Sequence, residues 1–167
     1  SKSKFYYYIN QFISLGYSIP GAVVALAVTI FITDLDSLND NVTMMGTFSI
    51  YFIILIYAYI IRFMAVGKSP IKSSVEKHPD SYNDSAKNLG LSSFKIFRKI
   101  YFPINKYSFF TALTLVFIDI MKELPIILIL RPFNFDTLAT QTYEFAVEEM
   151  IPLSSIYSSV ILLICCI

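Results

Sequence analysis

Four apolar stretches divided by polar loops constrain this chain more than any other feature. They run from about Ile19 to Leu35, from Thr47 to Val66, from Phe109 to Leu130 and from Pro152 to Ile167. A helix needs about 20 mostly apolar residues to cross the hydrocarbon core, so the first three are near or just under spanning length. Composition agrees: only 15% of residues are charged, where a soluble domain carries about 25%. Mean hydropathy is +0.63. The expected fold is all-α, a polytopic transmembrane helical bundle. Pro20 and Gly21 stand at the mouth of the first stretch, where a proline costs little because a first-turn N–H has no helical partner.

The distribution of charge predicts orientation. Nine of the 13 Lys and Arg residues fall between Arg62 and Lys106, and Lys2 and Lys4 precede the first stretch. The loop from Asp34 to Gly46 carries Asp34, Asp36 and Asp40 without a Lys or Arg. The loop from Arg131 to Ile151 sets one Arg against Asp136, Glu144, Glu148 and Glu149. The positive-inside rule then puts the N-terminus and the loop at 67–106 in the cytoplasm and both acidic loops outside. The net charge of +1 gives no pointer to nucleic acid, and no such partner is expected.

The basic loop reads as two short helices. Asp80 or Ser81 can cap the first, over Asn83–Leu89, and Gly90 can supply the left-handed residue that closes it. Ser92 or Ser93 can cap the second. There Leu91, Phe94, Phe97, Ile100 and Tyr101 recur at helical spacing, with Lys95, Arg98 and Lys99 between them. Pro103 is expected to end this helix. A basic amphipathic helix can also simply lie on anionic headgroups of the lipid membrane. That reading leaves the element Asp84-Ser85-Ala86-Lys87-Asn88-Leu89-Gly90 unexplained.

That element, with Ile100-Tyr101-Phe102-Pro103 ten residues on, resembles the coupling loop of the membrane subunits of bacterial ABC importers, E-A-A-x3-G-x9-I-x-L-P. The spacing matches from Ala86 to Gly90, Ile100 and Pro103; Asp84, Ser85 and Phe102 depart in residue type. The resemblance implies that Asp84, Ser85, Ala86, Gly90, Ile100 and Pro103 receive an ABC ATPase subunit. Small residues let a partner approach the backbone, and Gly90 permits a sharp turn. No G-x-x-x-x-G-K-[ST] phosphate loop is present, so ATP is expected to be used by the partner subunit. The chain is expected to be a transport subunit, not an enzyme, with no cofactor and no metal of its own.

Asp119, Lys122, Glu123 and Pro125 interrupt the third stretch. Charge in a membrane is expensive and usually faces a cavity, a partner or the interface. Lys122 lies three residues from Asp119 and Glu123 four, so all share roughly one side. Pro125 should bend the helix, freeing a carbonyl near Met121. One reading is a local Asp119–Lys122 ion pair between bundled helices; the other is a translocation path or gate at Glu123 and the kink. Glu123-Leu124-Pro125, Leu130-Arg131-Pro132 and Phe135-Asp136-Thr137-Leu138-Ala139-Thr140 resemble ferric-iron ABC importer permeases. The resemblance implies a type I importer transmembrane domain, partial over 1–167. It also implies a second permease half, a periplasmic substrate-binding protein, and a place in the bacterial inner membrane.

Permeases for thiamine, polyamine or sulfate share the loop and are the alternative cargo classes. A secondary transporter driven by ions through Asp119 and Glu123, or a non-transporting fragment, are the alternatives of another kind. Ser1–Tyr8 has no initiator Met, and Ser158–Ile167 runs apolar without a polar stop, so part of a longer permease is expected. Tyr6-Tyr7-Tyr8 read as interfacial residues, not iron ligands. His78 reads as a solvated loop residue. Glu144, Glu148 and Glu149 share a helical spacing on the expected outer side and read as one acidic exposed face, the alternative being a surface that receives the binding protein. Cys165 and Cys166, adjacent in an apolar run, read as small apolar residues.

Overall fold

Proline and glycine punctuate this chain more firmly than charge does. The computed structural model describes residues 2–36, 44–79, 81–88 and 90–166. Helix α1 (Lys2–Ser18) stops at Ile19-Pro20, and α2 (Gly21–Asp36) starts immediately after. Tyr7–Ser18 and Gly21–Phe31 meet at 105°. There follow α3 (Met44–Val75), α4 (Ser81–Asn88) and α5 (Ser93–Ile96). A π-helical turn (Phe97–Tyr101) leads into α6 (Phe102–Ile104), and then come α7 (Lys106–Met121), α8 (Pro125–Leu130), α9 (Leu138–Val147) and α10 (Ile151–Cys166). Among the described residues there is no strand.

The chain divides into two compact units, Ser1–Met64 with Ile118–Ile167, and Ala65–Phe117. The first is built around Val24 and Ala25 of α2, Leu55 and Ala58 of α3, and Ile126, Ile127 and Leu130 of α8. Ala25 and Ala58 are fully buried, and such small residues let helix backbones approach closely. Six-residue α8 is too short to persist alone. It is held because three of its side chains are almost wholly enclosed. Phe135 closes this core and stacks edge-on against Phe52 at 5.7 Å. Large apolar side chains elsewhere face outward, among them Phe31, Phe110, Leu113, Leu162 and Leu163. That is the pattern of a chain whose surrounding solvent is lipid.

The expected spans need correction in detail. Among the described residues, one helix, Tyr51–Val75, is long and apolar enough to cross a membrane, or up to three spans are present if each bent pair counts as one. The stretch at Ile19–Leu35 is the 16-residue α2, which reaches spanning length only together with α1. The second stretch does not end at Val66: α3 continues through Pro70 to Val75, taking the start of the expected loop into a helix. The third stretch is not one kinked helix, because α7 ends at Met121 and a new helix starts at Pro125. The expected outer loop contains α9. Its first turn is closed by a reciprocal box in which Thr137 Oγ1 accepts from the Thr140 N–H and Thr140 Oγ1 accepts from the Thr137 N–H.

Candidate functional site

Helix α4 is short and polar, so its ends decide its shape. Gly90 has φ +72°, the left-handed conformation that the sequence reading assigned to it. Its N–H donates to the Lys87 carbonyl at 2.9 Å, and the Leu91 N–H donates to the Ala86 carbonyl at 3.2 Å. This pair of bonds is the Schellman closure, which satisfies carbonyls left orphaned at a helix end. A Cβ at Gly90 would meet nothing within 4 Å, so glycine is required by backbone conformation and not by space. Ser85 is exposed, but Ala86 is only 2% exposed and so offers no open face. The side chain of Asp84, and Asp80 and Leu89, lie outside the described residues.

The second half of the loop departs further from expectation. Ser92 occupies the N-cap of α5 with extended backbone, yet its side chain makes no capping hydrogen bond. Phe94 is 71% exposed, while Ile96, outside the expected apolar stripe, is buried. Pro103 does not end the helix. The π turn before it widens the backbone, with the Phe102 N–H bonding to the Phe97 carbonyl five residues back. That widening relieves the clash a proline ring makes with the preceding turn. Pro103 is exposed and Ile100 half-buried. The break falls at Asn105, where Ser93–Ile104 and Lys106–Met121 meet at 78°.

In the other unit, Asp119 and Lys122 form the expected ion pair at 2.8 Å. Glu123 does not join them. With α7 ended at Met121, its carboxylate turns to Arg62 of α3, Nε to Oε2 3.4 Å, with only 16% and 10% of the two side chains exposed. Arg62 also donates through Nη1 to the Ile19 carbonyl, at the turn between α1 and α2. Its guanidinium lies 6.0 Å from the Tyr17 ring centroid and 5.9 Å from that of Phe63. A Cβ at Gly21 would collide with Glu123 Oε1 and press on Arg62 Cζ. Among the described residues, Glu123 Oε1 is buried without a hydrogen-bond donor. One charge pair therefore ties the α1–α2 turn, α3 and the α7–α8 break together. Pro125, placed in the first turn of α8, sets that break.

On the segment after α8, Arg131 bonds both Asp136 and Glu144. These residues line a cavity of about 600 Å³ with Tyr51, Phe133 and Asn134. Glu144, Glu148 and Glu149 do not form one helical face: Glu144 is tied to Arg131, and Glu149 lies beyond the end of α9 with φ +61°. His78 is half-buried, with Nε2 3.1 Å from Asn105 Oδ1, and is not a solvated loop residue. Arg62 and Asn105 were not singled out in the sequence. Only Arg62 carried a signal, as a lone charge inside an apolar run.

Among the described residues the chain is helical and without strands, and it is part of a type I ABC importer transmembrane domain. The family described as the binding-protein-dependent transport system inner membrane component matches residues 1–167, and the chain belongs to it. It is similar to the Fe(3+)-transport system permease protein FbpB 2 of Haemophilus influenzae, 26% identical over 156 residues. That alignment covers 93% of this chain and 29% of the relative, so the chain spans less than a third of the relative's length. No solved structure gives a significant match.

Proposed function

We propose that the chain is the membrane permease part of an importer that carries ferric iron across the bacterial inner membrane by alternating access. A separate ATPase subunit supplies the energy, a periplasmic binding protein delivers the cargo, and a second permease half completes the path. The N-terminus and the loop at 67–106 face the cytoplasm in this reading. The observation that carries it is the left-handed Gly90 closing α4, set at the motif spacing from Ala86, Ile100 and Pro103. A rigid, tightly closed short helix is what a docking element needs to pass on rigid-body motion.

Within the same reading, Arg62–Glu123 is the gate. A charge pair this enclosed is strong only while its geometry holds, so it favours discrete arrangements over gradual deformation. Asp119, Lys122 and Pro125 shape the break beside it. The cofactor expectation carries over as a proposal: no cofactor is held by this chain, and iron is cargo. The cargo is proposed from the relative's name and from the Glu123–Thr140 resemblance. Uptake by the full-length protein that carries this sequence, reconstituted with its ATPase and binding protein, tests it. ATP-dependent accumulation of ferric ion supports the proposal. Accumulation of thiamine, polyamine or sulfate instead, or uptake without the ATPase, contradicts it.

A further inference from the structure

We propose that Asn105 is the joint through which the coupling loop moves the helices beside it. The inference rests on the reading of that loop as the ATPase-docking element. Asn105 sits alone in the break between α6 and α7, with φ −99° and ψ 12°. Its side chain is only 1% exposed, yet it carries three polar contacts. Nδ2 donates to the Tyr101 carbonyl at 2.8 Å, within the loop's own helix. Oδ1 accepts from Ser74 Oγ at 2.6 Å and lies 3.1 Å from His78 Nε2. Ser74 is in the last turn of α3, and His78 follows just after it. The backbone repeats the linkage: the Asn105 N–H bonds to Tyr101, and the Asn105 carbonyl receives the Phe109 N–H of α7 at 3.1 Å.

One planar amide therefore holds the end of α3 on its oxygen edge and the coupling helix on its nitrogen edge, at the root of α7. An amide is rigid, and in a dry site its bonds are worth more than at the surface and costly to leave unmade. Displacement of Tyr101 by a docked partner is passed to Ser74 without slack. An apolar residue at 105 would fill the space but transmit nothing by hydrogen bond. A bend that only needed shape would be met by glycine or proline, without a buried amide serving two helices.

The test uses the full-length protein assembled with its ATPase subunits, comparing wild type, Asn105→Ala, Ser74→Ala and the double variant. The readouts are ATPase retention on purification, basal ATP hydrolysis, and ions moved per ATP. We expect Asn105→Ala to keep the ATPase and its basal hydrolysis while ions per ATP fall about tenfold or more, since at least one buried hydrogen bond is lost. Ser74→Ala, a milder change that keeps the helix, should lower the ratio severalfold. The double variant should be no worse than Asn105→Ala, because Ser74 acts through Asn105. An unchanged ratio in both single variants would overturn the proposal. So would loss of ATPase binding and of coupling in step, which marks a merely structural residue. If wild type itself fails to retain the ATPase, the docking reading falls, and the joint with it.

Discussion

Gly90 and Glu123 show how differently two candidate site residues can be read from a sequence. Gly90 was legible because left-handed backbone is nearly confined to glycine, and a helix end at a fixed distance from Ala86 calls for it. Substituting valine should strain the closure by about 1–2 kcal/mol, since a Cβ there opposes the left-handed backbone and not a neighbouring atom. Uptake should fall while membrane insertion is unchanged; normal uptake by Gly90→Val would count against the coupling role. Glu123 was also legible, as a charge in an apolar run. Its partner was not, because helical spacing points only to Asp119 on the same helix. The break after Met121 frees the carboxylate to reach across 61 positions to Arg62. Removing one member of so enclosed a pair strands the other, at a cost of about 3–5 kcal/mol. Glu123→Leu should therefore lower thermal stability in detergent sharply. The double variant Glu123→Leu with Arg62→Met should recover most of it, and failure to recover would show that the pair is not the source of the loss.

At the scale of elements, local signals fixed where helices begin but not how breaks are absorbed. The apolar runs gave α2, α3, α7 and α10 approximately, because lipid-facing helices are hydrophobic over most of their surface. Helix α8 was read only as the far side of a bend at Pro125, since six residues carry no period of their own and it is stabilised by burial in tertiary structure. Helix α9 hid in a loop that looked merely acidic, although Thr137 and Thr140 stood at box spacing. Thr137→Val should destabilise that first turn by about 1 kcal/mol, read as faster amide exchange over Leu138–Gln141. Pro103 was read as a stop; the π turn before it absorbs the proline and moves the break to Asn105. No sequence rule predicts that the amide two residues on will be the buried one.

At the scale of the whole molecule, charge asymmetry predicts sidedness. Single cysteines at Lys77 and Phe133, in a background with Cys165 and Cys166 replaced by serine, should react with a membrane-impermeant maleimide from opposite faces of sealed vesicles. Phe133 is 93% exposed. Labelling of both from one face would refute the orientation. The chain forms two compact units, and Ala65–Phe117 is the one that carries the Asp84–Pro103 motif. We propose that this unit receives an ATPase. Co-purification of the full-length protein with the candidate ATPase, wild type against the Asp84→Ala/Gly90→Val double variant, tests it most directly. Retention by wild type and loss in the variant are expected; equal retention by both, or none by either, would contradict ATPase docking on this unit.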